Sequence, residues 1–489
     1  MVQDDLRTTV SRGASDQSAW PAGLAVAPRR RTGEAPIQGP RIDMETVLIG
    51  GTLIDGTGCE PLPRAGIVMS EGKVRVVGPL GRLSYGRDAR VVDVEGLTIM
   101  PGLIDTHTHL TYHGDQPNVW QLEFEESVEL NTLKAARNAA HILQTGFTSI
   151  GDGGCRGYIG PAIRDGVAKG IIPGPHIVAA GPILTGSAGL LDSMPVWIRM
   201  ESDQALGMTV NGVDEVRRAV RAQVKGGVDW IKVSASGVAG SRFATAETED
   251  LSADEIAAAV FEARKYGKPV HAHAHSREGV RAAVEAGVLS LHSGEFVDEE
   301  LLLFMRERGT IFSPTVAWLH ARCLPGYVLA ANPAFVAEAW RAYAAAKVSI
   351  VKARELGVKM AMGSDASHRF HHVPDGALEL EYYQELGWTA LEVITAATKT
   401  AAEAINRGAM LGTLAPGKVA DILVVAGPVC EDVRVLRDKR NIKRMYQGGR
   451  EVALALDRGI FGADFRVAEW LDEPLARSDP RPGVDTVRP

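Results

Sequence analysis

Two histidines one residue apart, His107 and His109, close the apolar run Met-Pro-Gly-Leu-Ile-Asp-Thr-His-Thr-His-Leu from Met100 to Leu110. Side chains of an extended strand alternate with period two, so both imidazoles fall on one face. Two neutral imidazoles side by side make half of a metal site. They also read as two ordinary histidines, and the rest of the chain has to supply the missing ligands. Lys232 in Trp-Ile-Lys-Val, His273 and His275 in His-Ala-His, His292 in Leu-His-Ser-Gly and Asp365 in Gly-Ser-Asp-Ala are the candidates. Each alone has a plain structural reading: a snorkelling lysine, a core histidine, a helix N-cap.

Their places in the chain pattern make the case stronger. Short apolar strands alternate with amphipathic helical stretches, the pattern of a β/α barrel. Strand candidates are Thr98 to Asp105, Phe147 to Gly151, His176 to Ala180, Trp230 to Ser234, Pro269 to His273, Val288 to His292, Thr310 to Ser313 and Lys359 to Ser364. Between them run helical patterns such as Val213 to Lys225, Ala253 to Lys265 with Ser252 and Glu255 as a capping box, Arg277 to Ala286 and Phe335 to Glu355. These units predict an α/β fold, a TIM-type (β/α)8 barrel in which catalytic groups sit at the C-terminal ends of strands. His107 and His109 end the first strand, Lys232 lies late in the fourth, and His273 and His292 end the fifth and sixth. Asp365 follows the eighth.

Both flanks of this barrel are β-rich. Val47 to Ile49, Leu53-Ile54, Ile67 to Met69 and Val74 to Val77 are short runs between glycine turns, and a matching set returns at Ala420 to Val425 and Met445 to Gly449. The simplest arrangement is a small β-sandwich domain built by both ends of the chain. The expected organisation is a disordered extension at 1–40, a first β part at 41–98, the barrel at 99–410, a second β part at 411–455 and a tail at 456–489. Met44, where the β pattern begins, is an alternative natural start.

The 489 residues, 45% of them hydrophobic, can fill a sizeable core, and a net charge of −7 offers no electrostatic footprint for nucleic acid or an anionic membrane. Cys59, Cys155, Cys323 and Cys430 lie far apart without paired spacing, which argues against a disulfide framework and for a reducing cytoplasm. The chain has neither a run of about 18 apolar residues nor a secretory h-region.

Five stretches together resemble the amidohydrolase superfamily over about residues 45–455, in the imidazolonepropionase-like branch with Xaa-Pro and Xaa-Arg dipeptidases and molinate and phenylurea hydrolases. They are Pro-Gly-Leu-Ile-Asp-Thr-His-Thr-His at 101–109, Trp-Ile-Lys-Val at 230–233, His-Ala-His at 273–275, Gly-Ser-Asp-Ala at 363–366 and Leu-Ala-Pro-Gly-Lys-Val-Ala-Asp-Ile at 414–422. The resemblance implies two divalent metal ions, zinc by default with manganese or cobalt as alternatives. His107, His109 and Asp365 would hold one, His273 and His292 the second, with carboxylated Lys232 as the bridge. A metal-bridging hydroxide would be the nucleophile, Asp365 the proton shuttle and His275 the holder of the substrate carbonyl. His271 shares that strand face but lies deeper and reads as structural. The bridging lysine favours hydrolysis of an amide-like bond over ring deamination. The implied partner is a small-molecule substrate, with neither nucleic acid nor membrane, in a homo-oligomer.

The pattern departs from relatives in two places. Thr185-Gly186-Ser187-Ala188-Gly189 stands where they often have Gly-Gly-His-Gly, and Leu291-His292-Ser293-Gly294 stands where they usually have Glu-His-Gly. An alignment on Gly294 therefore puts Ser293 in the ligand slot, while strand alternation turns His292 inward; a bulge could re-aim it. Tyr112, His113, Trp120 and His368 are expected to line the substrate pocket, with Phe124, Phe370, His371 and His372 nearby. The favoured substrate is a small organic molecule with an amide, urea or carbamate carbonyl, a class that includes xenobiotics. A prolidase-like dipeptidase is the alternative, with Arg156, Arg199, Arg242 or Arg369 to hold a free carboxylate. A catalytically inactive barrel with a binding role is the alternative of another class.

Overall fold

The computed structural model describes residues 44–454 apart from 113–121, 199–203, 326, 328, 330 and 367–375. The expected extension at 1–40 and tail at 456–489 lie outside the described residues. Strands β1 (Thr46–Leu53), β2 (Leu62–Ser70) and β3 (Lys73–Pro79) form an antiparallel meander, and β4 (Arg90–Asp93) and β5 (Thr98–Pro101) run parallel to β1. Two more strand sets follow in the middle of the chain. One is the parallel sheet of β6 (Leu103–Thr108), β7 (Phe147–Asp152) and β8 (His176–Ala179). The other contains β9 (Ile183–Thr185), β10 (Gly207–Thr209), β11 (Ile231–Ser234), β12 (Val270–Ala274), β13 (Ser290–Ser293) and β14 (Ile311–Ser313), in the order β10-β9-β11-β12-β13-β14. From the C-terminal side, β15 (Ile422–Val425), β16 (Ile442–Gln447) and β17 (Arg450–Glu451) join β1 to β5 in one eight-stranded sheet.

The parallel strands are short and buried along their length, as strands covered on both faces must be. Helices lie between them. Val213–Lys225 buries Val216, Ala219 and Val220 on one stripe, and Ala253–Arg264 starts at the Ser252–Glu255 capping box. Arg277–Ala286 is capped by Ser276, whose side chain accepts the Gly279 amide, and it stops at Gly287 in the left-handed region.

Two predicted strands differ from what forms. The stretch Thr98 to Asp105 divides at Gly102, with β5 in the eight-stranded sheet and β6 in the parallel one. A Cβ at Gly102 would lie 2.1 Å from Thr148 Oγ1, so only glycine lets the chain change sheets in one residue. The stretch Lys359 to Ser364 forms no regular strand. It runs between β14 and β6, receiving Phe312 N at Lys359 O (2.9 Å) and Thr106 N at Met362 O (3.1 Å). Isolated parallel bridges Phe312↔Met360 and Thr108↔Ala366 continue the contact. The segment's far end is thereby fixed beside His107.

Register then sorts the side chains. Lys232 pairs with His271 across β11 and β12, and His271 with Ser290 and His273 with His292 across β12 and β13. Partners in a parallel ladder share a face, so Lys232, His271, His273 and His292 converge on one side.

Candidate active site

At the end of β6, His107 Nε2 and His109 Nε2 lie 3.2 Å apart, and Asp365 Oδ1 is 3.7 Å from the first and 3.3 Å from the second. The three ligand atoms fall within 4.8 Å of one another and all three residues are buried. His109 Nδ1 is 2.7 Å from the Gly154 carbonyl oxygen, which can only accept. Nδ1 therefore carries a proton, which leaves Nε2, on the Asp365 side, as the atom that would meet a metal. Burial holds His107 well below its usual range, and Lys232 adds to the effect. A carboxylate and two imidazoles at these distances fit a divalent cation.

Asp365 is delivered by backbone. Its amide donates to the His107 carbonyl at 2.7 Å, and its φ of 48° turns the chain sharply at that point. Asp105 braces the same corner: its carboxylate accepts the His107 amide and the Ser364 amide, both at 3.0 Å, and the Ser364 hydroxyl at 2.5 Å. Burial raises Asp105 to about 6 against the lowering effect of those hydrogen bonds. Asp152 accepts the Leu110 amide at 3.1 Å just past His109, and burial pushes it to about 7.

The second group is arranged differently. Lys232 is 1% exposed, and burial lowers its amine to about 7 while Asp365 opposes the shift. Its Nζ lies 2.5 Å from His292 Nδ1, and His292 Nε2 is 3.4 Å from His271 Nδ1. The His292 ring packs on His107 with centroids 4.2 Å apart, so the lysine pair abuts the first group directly. His273 Nε2 is buried and has no hydrogen-bond partner, as a ligand atom would be before a cation arrives. His292 is turned inward, and the irregular geometry falls one residue later, at Ser293 with φ 75° and Gly294 with φ 88°. Ser293 Oγ is buried without a partner. His271 stacks near Trp230, with centroids 3.9 Å apart.

His275 is buried, with Nδ1 hydrogen-bonded to the Glu295 carboxylate and Nε2 unpartnered. Tyr112 is buried and stacks on His109 at 4.2 Å with 14° between rings; burial and then Asp365 push its phenol well above the usual range. Phe124 is 59% exposed. His113, Trp120 and His368, like Phe370, His371, His372, Arg199 and Arg369, lie outside the described residues. Arg156 donates to the carbonyls of Gln204, Glu126 and Glu123, and Arg242 to that of Ser193. In the loop after β9, Asp250 accepts from Thr185 Oγ1, Gly186 N and Leu190 N, so a half-buried carboxylate shapes the loop that lacks the histidine.

Asp105, Asp152 and Glu295 were not among the residues expected at the site. Asp105 stands inside the Pro-Gly-Leu-Ile-Asp-Thr-His run, and its bonds to Ser364, 259 positions away, could not be read from that run. Glu295 was visible only as the residue after Gly294.

The family model for the amidohydrolase family matches residues 98–452. The chain belongs to this family. Ochratoxinase of Aspergillus niger is 31% identical over 432 residues, covering 83% of this chain and 86% of that protein. Imidazolonepropionase of Rhizobium rhizogenes is 25% identical over 75% of this chain and 88% of its own. A crystal structure of a prolidase complexed with N-methylphosphonate-L-proline superposes with a TM-score of 0.76 at 29% identity, covering 84% of this chain and 99% of that one. The amidohydrolase is thus a hydrolase of C–N bonds with an α/β fold of parallel sheets. Among the described residues no helix is long and apolar enough to cross a membrane.

Proposed function

We propose that this amidohydrolase hydrolyses an amide-like C–N bond, in an amide, urea or carbamate of a small organic molecule, at a metal centre on His107, His109 and Asp365. The observation behind the reading is the convergence of those three ligand atoms within 4.8 Å, with the His109 tautomer fixed by Gly154. A divalent cation bound there, zinc by preference, would lower the pKa of water and polarise a carbonyl. The protein's own groups do the rest. Asp365 accepts a proton at its carboxylate during attack and returns it to the leaving nitrogen. With Nδ1 held by Glu295, His275 is oriented to offer Nε2 to the substrate carbonyl. Tyr112 walls the His109 side.

A second cation would take His273, with Lys232 and His292 beside it. Lys232 is the fitting bridge once carboxylated, because burial leaves much of its amine neutral near pH 7 and able to form an N–C bond to carbon dioxide with loss of a proton. That step would break the Lys232–His292 contact and release His292 toward the metal. The fold that serves this reading is a (β/α)8 barrel closed by 359–366, with the eight-stranded sheet as a β-sandwich formed by 41–98 and 411–455. A reducing cytoplasm is the location this reading gives it, in keeping with four cysteines spaced far apart along the chain. The second reading, a dipeptidase, is favoured by the likeness to the prolidase structure.

The test is metal loading followed by amine release from dipeptides, N-acyl amino acids, anilides and phenylureas. Cleavage of any one class that disappears with metal removal supports the reading. Metal-independent cleavage, or none from a fully loaded protein, contradicts it.

A further inference from the structure

Strand β11, which carries Lys232, is held unequally on its two sides. It pairs with β12 from Ile231↔Val270 to Ser234↔His273, but among the described residues its ladder with β9 has the single pair Val233↔Leu184. The next step along that seam, toward the C-terminal ends, would set Ser234 against Thr185. A side chain spans the seam there instead. Asp250 accepts the Thr185 hydroxyl at 2.7 Å and the Leu190 amide at 2.8 Å on Oδ2, and the Gly186 amide at 2.5 Å on Oδ1. Its own backbone lies along the continuation of β11: Asp250 N donates to Ala235 O and Leu251 N to Ser234 O, both at 3.2 Å, and Ser236 and Glu249 form an antiparallel bridge. One carboxylate therefore fastens the end of β9 to the end of β11 just past Lys232.

The donors account for both the acid and the glycines around it. An ionised carboxylate only accepts, and here it meets two amides and a hydroxyl; an asparagine would turn its NH2 toward at least one of them. A Cβ at Gly189 would lie 2.2 Å from Asp250 Oδ1, and one at Gly186 3.1 Å from it. The glycines of Thr185-Gly186-Ser187-Ala188-Gly189 thus make room for this carboxylate. The fastened corner also bears on the second half of the candidate centre. Ser234 pairs with His273, whose Nε2 is buried without a hydrogen-bond partner, and Lys232 stands two residues before Ser234 on the same face.

We infer that Asp250 is a positioning residue for that half: by pinning the end of β9 to the end of β11 it holds Lys232 and His273 where a second cation would meet them. This rests on the two-cation form of the hydrolytic reading above and adds a residue that touches neither metal nor substrate. The braces of the other half, Gly154 and Asp105, lie on different strands and do not depend on it.

The experiment titrates the metal-stripped full chain with zinc in bicarbonate by calorimetry, and follows hydrogen exchange of 183–190 and 231–236 by mass spectrometry. Asp250→Asn should weaken the bicarbonate-strengthened site by about 10-fold, the scale of one charge-assisted hydrogen bond, and speed exchange in both segments. The site on His107, His109 and Asp365 should stay within about 2-fold, which a general loss of stability would not spare. Gly189→Ala should give the same selective loss, and added to Asp250→Ala it should change nothing further, because the group it collides with is gone. Thr185→Val, which removes one hydroxyl donor, should weaken the same site by about 3-fold. If Asp250→Asn fails to fold, Gly189→Ala and Thr185→Val decide, and parent-like titrations of both overturn the assignment. Equal weakening of the two sites, an unchanged second site in folded Asp250→Asn, or a parent without a bicarbonate-strengthened site overturns it as well. Selective loss of that site in a loaded protein that cleaves no amide, urea, carbamate or dipeptide would uphold the positioning role and sink the hydrolytic reading.

Discussion

The His107–His109–Asp365 group and the Lys232–His273–His292 group occupy neighbouring strand ends, yet they are braced in opposite ways. In the first, the ligands are braced from behind: Gly154 holds His109 Nδ1, the His107 carbonyl holds the Asp365 amide, and Asp105 ties β6 to Ser364. The coordinating atoms are left facing one another. In the second, the groups that would coordinate satisfy each other, Lys232 Nζ against His292 Nδ1 and His292 Nε2 against His271. One half is preorganised by backbone; the other needs a chemical change at Lys232 before it can serve. Preorganisation of this kind is what gives a site its affinity.

The largest effect should follow from breaking the braced half. His109→Ala removes a ligand and the Gly154 tie together, and the expected outcome is loss of the tightly held metal with turnover reduced by on the order of 10^3-fold or more. Metal analysis beside steady-state rates checks it. Lys232→Ala should cost orders of magnitude in rate as well, yet leave about one metal per chain, and a small carboxylic acid in excess should partly restore activity by standing in for the lost bridge. Two metals and full rate in that variant would remove the lysine from the account.

These two variants also mark what the sequence made legible. The helices Val213–Lys225 and Arg277–Ala286 begin and end where periodicity and caps put them, because their local signals agree with their packing. The convergence of His107, His109 and Asp365 was readable from strand-end placement. The split at Gly102 was not, since it depends on Thr148 from another strand, and Lys359 to Ser364 reads as a strand although its bonds are too irregular to make one. His292 is the intermediate case. Alternation turned it inward, but nothing in the sequence revealed that Lys232 would meet it.

Smaller effects sharpen the contrast. Glu295→Gln keeps a hydrogen-bond acceptor for His275 but removes the charge, and it should lower kcat by roughly 10–100-fold with metal content unchanged. A matching loss of metal would place Glu295 in the braces of the centre instead.

The smallest effect is on stability. Burial raises Asp152 to about 7 and Glu379 to about 8, from ordinary values of 3.8 and 4.5. On raising the pH the unfolded chain gives up these protons first, so their contribution is complete below about pH 4 and is lost as pH climbs through 7 and 8. Tm should therefore fall between about pH 4 and 8. Glu379 accepts the Val316 and Ala317 amides, and Glu379→Gln, which keeps an acceptor oxygen without the titrating proton, should flatten that fall. An unchanged slope would mean that other groups set it.

The contrast between the two halves is tested most directly by calorimetric titration of metal-stripped protein with zinc, with and without bicarbonate. The account predicts a tight site that is indifferent to bicarbonate and absent in His109→Ala, and a weaker site that strengthens with bicarbonate and is absent in Lys232→Ala. A tight site surviving in His109→Ala, or two equal sites insensitive to bicarbonate, would contradict it.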